Sequence, residues 1–171
     1  LALTLTDLAP EPLTRLLRLW GGDIAALMAG RPVPGDTAPE LAQPGVSLSV
    51  TVGFGPRIFT LPGLAAKAPT GFLEIPPMSH DRLQQRWSGG DLLLMIAADD
   101  PTTVDYASRR LLRDAKAFAS LAWEQVGSWR GTDPSGSPLT GRNLFGQVDG
   151  TANPTGALLD GTVWIDDPAW L

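Results

Sequence analysis

The chain reads as an α+β domain of ferredoxin-like type, a split βαβ with element order β-α-β-β-α-β, a four-stranded antiparallel sheet and both helices on one face. Three observations predict it. Val46, Leu48, Val50, Val52 and Phe54 alternate with small polar residues, the period of two of a half-buried strand. Two stretches, opening near Glu11 and near Asp100, instead repeat apolar residues at helical spacing. Strand-like runs precede, separate and follow those helices in the order that this fold requires.

Taken in order, Leu1, Leu3 and Leu5 alternate with Ala2, Thr4 and Thr6 and predict a first strand over about 1–6. Leu13, Leu16, Leu17, Trp20, Ile24, Leu27 and Met28 predict a helix over about 11–29, with Pro12 near its start and Gly30-Arg31-Pro32 closing it. Gly21-Gly22 inside that helix costs about 1 kcal/mol per residue relative to alanine, so a kink or a close packing contact is expected there. Residues 31–45 are rich in proline and glycine and read as a loop. The second strand is expected over 46–54. After an irregular stretch, 91–97 reads as a strand buried on both faces. Asp100-Pro101 is a cap followed by proline at the first helical position, and Val104, Ala107, Leu111, Ala115 and Phe118 form the stripe of a helix over about 102–121. Asp105 and Arg109, and Arg110 and Asp114, stand four apart and are assigned to its wet face. Residues 122–130 give a fourth strand. No internal repeat is evident.

The 171 residues suffice for one ordinary domain with a hydrophobic core. It is expected over 1–130, with 131–171 a loop segment. A net charge of −5 offers no basic stripe to phosphates, so nucleic acid is not an expected partner. No apolar run approaches the roughly 20 residues that span a bilayer, and no membrane partner is expected. The absence of cysteine excludes disulfides and thiolate metal sites, and a single histidine, His80, excludes an imidazole cluster.

Among chemistry-bearing residues, Asp99-Asp100 and Asp166-Asp167 each precede a proline and read as caps or solvated turns rather than paired carboxylates for acid/base work. Trp20, Trp87, Trp123, Trp129, Trp164, Trp170 and Tyr106 read first as packing. His80, in IPPMSHDRL, reads as an exposed loop residue; Met28 and Met95 are assigned to core stripes. Asp149-Gly150 by itself reads as a tight turn, since the pair readily supplies positive φ.

The run Gly141 to Pro154, GRNLFGQVDGTANP, changes that reading. Its GxxDG core with flanking Asn-Leu-Phe and Thr-Ala-Asn-Pro resembles the signature of dye-decolourising peroxidases. The segments VTVGFGPRIF, WSGGDLLLMIAADDP, RRLLRDA and WIDDPAWL are similar to the same family in the same order. The Tat-exported bacterial branch is the nearest likeness. Gln147 and Val148 depart from the Phe-Lys often found inside the motif.

The resemblance implies two ferredoxin-like domains, of which this chain supplies the first. It implies haem b, Asp149 as the distal acid/base residue, and Gly150, Thr151 and Ala152 lining the haem edge through their backbone. No residue of this chain is assigned to the metal, because the family's proximal histidine and distal arginine come from the C-terminal half. That half, hydrogen peroxide and an organic reductant are the implied partners; a homo-oligomer stays open. An extracellular or periplasmic location is the corresponding expectation. A haem-free ferredoxin-like binding or assembly module is the alternative, and the two differ by whether the purified protein carries a Soret band.

Overall fold

The computed structural model describes every residue except 43, 73–74, 129–130, 144, 149, 151 and 164–171. It divides into two compact units, Leu1–Glu124 and Gln125–Leu171.

The first unit holds four strands and two long helices: β1 (Ala2–Leu5), α1 (Pro10–Met28), β2 (Ser49–Phe54), β3 (Leu92–Ala97), α2 (Pro101–Ala115) and β4 (Ala119–Trp123). The strands lie in the order β2-β3-β1-β4, and every pairing is antiparallel. This is the predicted ferredoxin-like α+β arrangement.

Register decides which face is covered. Val50 pairs with Ile96, Val52 with Leu94, Leu3 with Leu92 and Leu5 with Ala119, so these residues share one face. Leu3, Leu5, Leu92, Leu94 and Ala119 are buried there against Leu13, Leu16, Trp20 and Leu27 of α1 and Ala107, Leu111 and Ala115 of α2. At about 1.5–3 kcal/mol for each large side chain fully buried, this single layer is the main source of stability. Trp20 joins the two helices as well as filling the core, since its indole N–H donates to the Leu111 carbonyl at 3.0 Å.

The other face of β3 is open at Leu93 and Met95. Leu93 is 42% exposed and Met95 60%, which corrects the expectation that 91–97 is buried on both sides and that Met95 belongs to a core stripe. A continuous apolar run carries no periodicity, so it could not reveal that only alternate residues are covered. Met28, in the last turn of α1, is likewise half exposed rather than part of the core.

Three further expectations change. Ser47 adopts a left-handed φ of 51°, a conformation that a regular strand cannot hold, so the β2 ladder begins at Ser49 rather than at 46. The second helix ends at Ala115 rather than near 121, and the fourth strand occupies 119–123 rather than 122–130. Phe118 continues the helical stripe in sequence, but its N–H closes a turn on the Ala115 carbonyl at 2.7 Å. The following residues gain a full ladder with β1, and tertiary pairing outweighs local propensity. Finally, α1 runs through Gly21-Gly22 without interruption, and a Cβ at either position would meet nothing within 4 Å.

Where sheet and loops meet, Gly55 is required. A Cβ there would stand 2.2 Å from the Gly90 carbonyl oxygen, while the Gly55 N–H donates to the Asp91 carbonyl at 2.8 Å.

Candidate functional site

The second unit is built largely from turns, and two of them share one design. Asp133 Oδ1 accepts the N–H groups of Ser135 and Ser137 at 2.8 and 2.9 Å, and Asn143 Oδ1 accepts those of Phe145 and Gln147, both at 3.0 Å. In each, the first residue's N–H donates to the carbonyl of the fifth (2.9 and 3.0 Å), and the fourth residue's N–H returns to the first carbonyl at 2.9 Å. That fourth residue is glycine in both, Gly136 at φ 84° and Gly146 at φ 80°, a conformation in which any Cβ is strained. DPSGS and NLFGQ are therefore one five-residue loop used twice, ten residues apart, which the sequence reading did not register. The shared signal is an Asx residue followed three places later by glycine.

The second copy opens the predicted signature. Arg142 bridges to Val148 across the loop, the Arg142 guanidinium donates to the Gly146 carbonyl at 2.7 Å, and the Asn143 amide donates to Gln147 Oε1 at 2.8 Å. Phe145 stands at the tip, 91% exposed. A further turn follows, in which the Asn153 N–H reaches the Gly150 carbonyl at 3.3 Å with Gly150 at φ 66°. A Cβ on Gly150 would come within 3.2 Å of the Asn153 side-chain amide. Ala152, inside this turn, is exposed.

Asp149 and Thr151 lie outside the described residues, as do Trp129, Trp164, Trp170 and Asp166-Asp167. What can be stated is the frame around Asp149 in the chain. The loop closed by Arg142 and Val148 ends immediately before it, and the turn from Gly150 to Asn153 begins immediately after it. The tip of the hairpin closed by Arg142 and Val148 is thus formed by Asn143, Phe145, Gly146 and Gln147. Beyond the signature, Ala157–Thr162 forms a short helix, α3, that the sequence reading did not include.

The remaining candidates fall as follows. His80 is exposed, and the N–H of Met78 caps its loop by donating to Asp81 at 2.9 Å. Among the described residues, no group of three or more histidine, aspartate or glutamate side chains could hold a metal ion, and no helix is long and apolar enough to cross a membrane. Asp100 caps α2, accepting the Thr103 N–H at 2.7 Å and its hydroxyl at 2.9 Å. Trp123 donates to the Gly89 carbonyl at 2.8 Å, and Trp87 lies under the Arg86 guanidinium, 5.4 Å from its ring centre; both are structural contacts.

Comparison with known proteins adds to this geometry. The family profile described as Dyp-type peroxidase, N-terminal, matches residues 1–128. A dye-decolorizing peroxidase from Thermobifida fusca (strain YX) is 34% identical over 155 residues, which cover 86% of this chain and 35% of that protein. A deferrochelatase from Shigella flexneri serotype 5b (strain 8401) is 30% identical, over 92% of this chain and 42% of that protein. The solved oxyferrous complex of DtpA from Streptomyces lividans superposes with a TM-score of 0.81 at 38% identity, covering 94% of this chain and 44% of that one. The chain thus spans less than half the length of each of these proteins.

Proposed function

The chain belongs to the Dyp-type peroxidases, and from that premise we propose that it forms the distal side of a haem peroxidase site that uses hydrogen peroxide to oxidise dyes and other bulky reductants. The observation that carries this reading is the pair of tight turns flanking Asp149, which fixes the chain immediately before and after a single carboxylate. The relative solved in an oxyferrous state supports iron as the redox centre.

The described residues fit a flat cofactor on one side only. Gly146 and Gly150 carry no side chain and Ala152 only a methyl, so the backbone there is open to close approach. On the ligand side the fit fails. Haem iron takes an axial histidine, cysteine, methionine or tyrosine. Here His80, Met28, Met78 and Met95 are all exposed, and the Tyr106 hydroxyl donates to Asp36. The iron ligand is accordingly assigned to a C-terminal half, where the family resemblance also puts the distal arginine.

Bound haem b supplies the oxidising chemistry, and the protein supplies placement and proton handling. Gly150, Thr151 and Ala152 would be the residues that hold the haem edge, through their main chain. Asp149, ionised, would accept a proton from one oxygen of hydrogen peroxide and hand it to the other, its own carboxylate ending as it began. General acid/base groups contribute typically 10² to 10⁴ in rate. In the haem-loaded protein, Asp149→Asn is expected to slow peroxide consumption by about 10²-fold with haem content unchanged. A rate equal to that of the unmodified protein at both acidic and neutral pH would return Asp149 to the role of a turn residue.

A further inference from the structure

Away from the signature, the face where α1 meets α2 holds a group of charges that the proposed chemistry does not use. Arg110 of α2 lies between two carboxylates, its Nη2 2.8 Å from Asp23 Oδ2 of α1 and 3.0 Å from Asp114 Oδ1. All three side chains are largely buried. The same nitrogen also donates to the Pro34 carbonyl at 3.2 Å. Pro34 belongs to the 31–42 segment, a strap that crosses the helix pair with Val33 buried beneath it.

At this one nitrogen, Nη2, the donors do not match the acceptors. One guanidinium nitrogen carries two N–H bonds, and three acceptors surround it. Its two hydrogen bonds go to Asp23 and to Pro34, leaving Asp114 with an ion pair only. Among the described residues Asp114 Oδ2 is buried without a hydrogen-bond partner, as is Arg110 Nε, and the Asp23 and Asp114 carboxylates lie against the same Arg110 nitrogen. Two carboxylates in contact over one cation cannot both ionise cheaply.

We propose that Asp114 holds a proton that it donates to Asp23, and that this proton clasps the 31–42 strap to the helices by leaving Arg110 Nη2 free to hold the Pro34 carbonyl. With the proton present, Asp114 donates to Asp23, and the pair and Arg110 sum to zero charge. When it leaves, Asp114 becomes a second full acceptor for Arg110. Both N–H bonds then go to carboxylates, and Pro34 is released. No bond other than the O–H is broken, and the proton passes to solvent.

The surroundings agree. Burial, followed by the hydrogen bond with Asp23, pushes the Asp114 carboxyl up to about 7 despite Arg110 and the nearby Arg113. From the strap itself, Asp36 faces α2. Burial acts to raise it, but the hydrogen bonds from the Tyr106 hydroxyl and the Ala38 N–H, with Arg110 nearby, hold it below the ordinary carboxylate value. Asp36 therefore stays charged when Asp114 titrates. Burial and the bond to Asp36 raise Tyr106, with Glu40 adding to the effect, so the phenol stays neutral. Asp114 is the member of the set that changes charge near neutrality.

Hydrogen exchange read by NMR, corrected for intrinsic rate, tests the clasp. Protection of the strap amides Asp36, Ala38 and Leu41 is expected to fall about tenfold between pH 5.5 and pH 8. Amides of β3 should hold steady. Asp114→Asn, whose side-chain amide still donates to Asp23 but cannot ionise, should abolish the fall. A variant equally pH-sensitive in the strap overturns the proposal. The unmodified protein supplies a second measurement if the variant fails to fold: carboxyl ¹³C titration should place Asp114 near neutrality, and a midpoint near 4 overturns the proposal.

Discussion

The Asp91 carboxylate accepts the Leu5 N–H at 2.8 Å across 86 residues of sequence, taking the place of a ladder bond where β1 leaves β3. Asp91 is 1% exposed, and among the described residues its other oxygen makes no hydrogen bond and faces the Arg57 guanidinium 3.4 Å away. One side chain thus ends the β1–β3 pairing and ties the loop after β2 to the same point.

Asp91→Ala should destabilise the protein by about 1–3 kcal/mol, the cost of leaving a buried N–H without a partner. Arg57→Ala should cost less, because Arg57 is half exposed and solvent screens its charge. Urea unfolding of both variants checks the order, and equal losses would mean that the ion pair rather than the Leu5 bond holds this end of the sheet.

Gly21 and Gly22 are the opposite case. They lie on the exposed side of a continuous helix, and a Cβ at either meets nothing within 4 Å. Gly21→Ala and Gly22→Ala should each stabilise by about 0.5–1 kcal/mol by reducing the entropy of the unfolded chain. A fall in melting temperature would show that these glycines serve a contact outside this chain.

The split βαβ order was legible because each element carries its own periodicity, and the Asp100 cap and the Asp105–Arg109 pair at 2.8 Å formed as read. What failed was information that no local window contains. Arg110 and Asp114 have the spacing of a solvated pair, but Asp23 arrives from 87 residues away and the strap closes over them. The one-sided cover of β3 likewise depends on which face the helices take. At the candidate site, glycine and Asx spacing made turns predictable, whereas the role of Asp149 came from resemblance alone, since Asp-Gly by itself means only a turn.

Acid should weaken α2 through its cap. The N–H of Thr103, then its hydroxyl, hold Asp100 below its ordinary value of 3.8. A group whose pKa is lower in the folded state contributes stability that is fully present above its unfolded value and lost as pH falls through the folded one. The contribution of Asp100 should therefore persist at neutral pH and decline below about 4. Asp100→Asn, which caps without titrating, should flatten that part of the acid limb in a melting-temperature series. An unchanged limb would assign the acid loss to other carboxylates.

The last expectation concerns the iron. His80 is the one imidazole in the chain, so it is the natural suspect for an axial ligand, and its surroundings argue against that role. It is exposed in a loop capped by Asp81 rather than set in a pocket, and a haem-ligating histidine is ordinarily oriented by a second partner on its other ring nitrogen. The methionines are no better placed, and the Tyr106 hydroxyl already donates a hydrogen bond to Asp36. His80→Ala should consequently leave the Soret band of the haem-loaded protein unchanged in position and intensity. The 171-residue chain by itself should take up haem only weakly, without the spectrum of a single defined axial ligand. Loss of the band in the His80 variant would make this loop the proximal side, and the assignment of the iron ligand to a C-terminal half would fall with it.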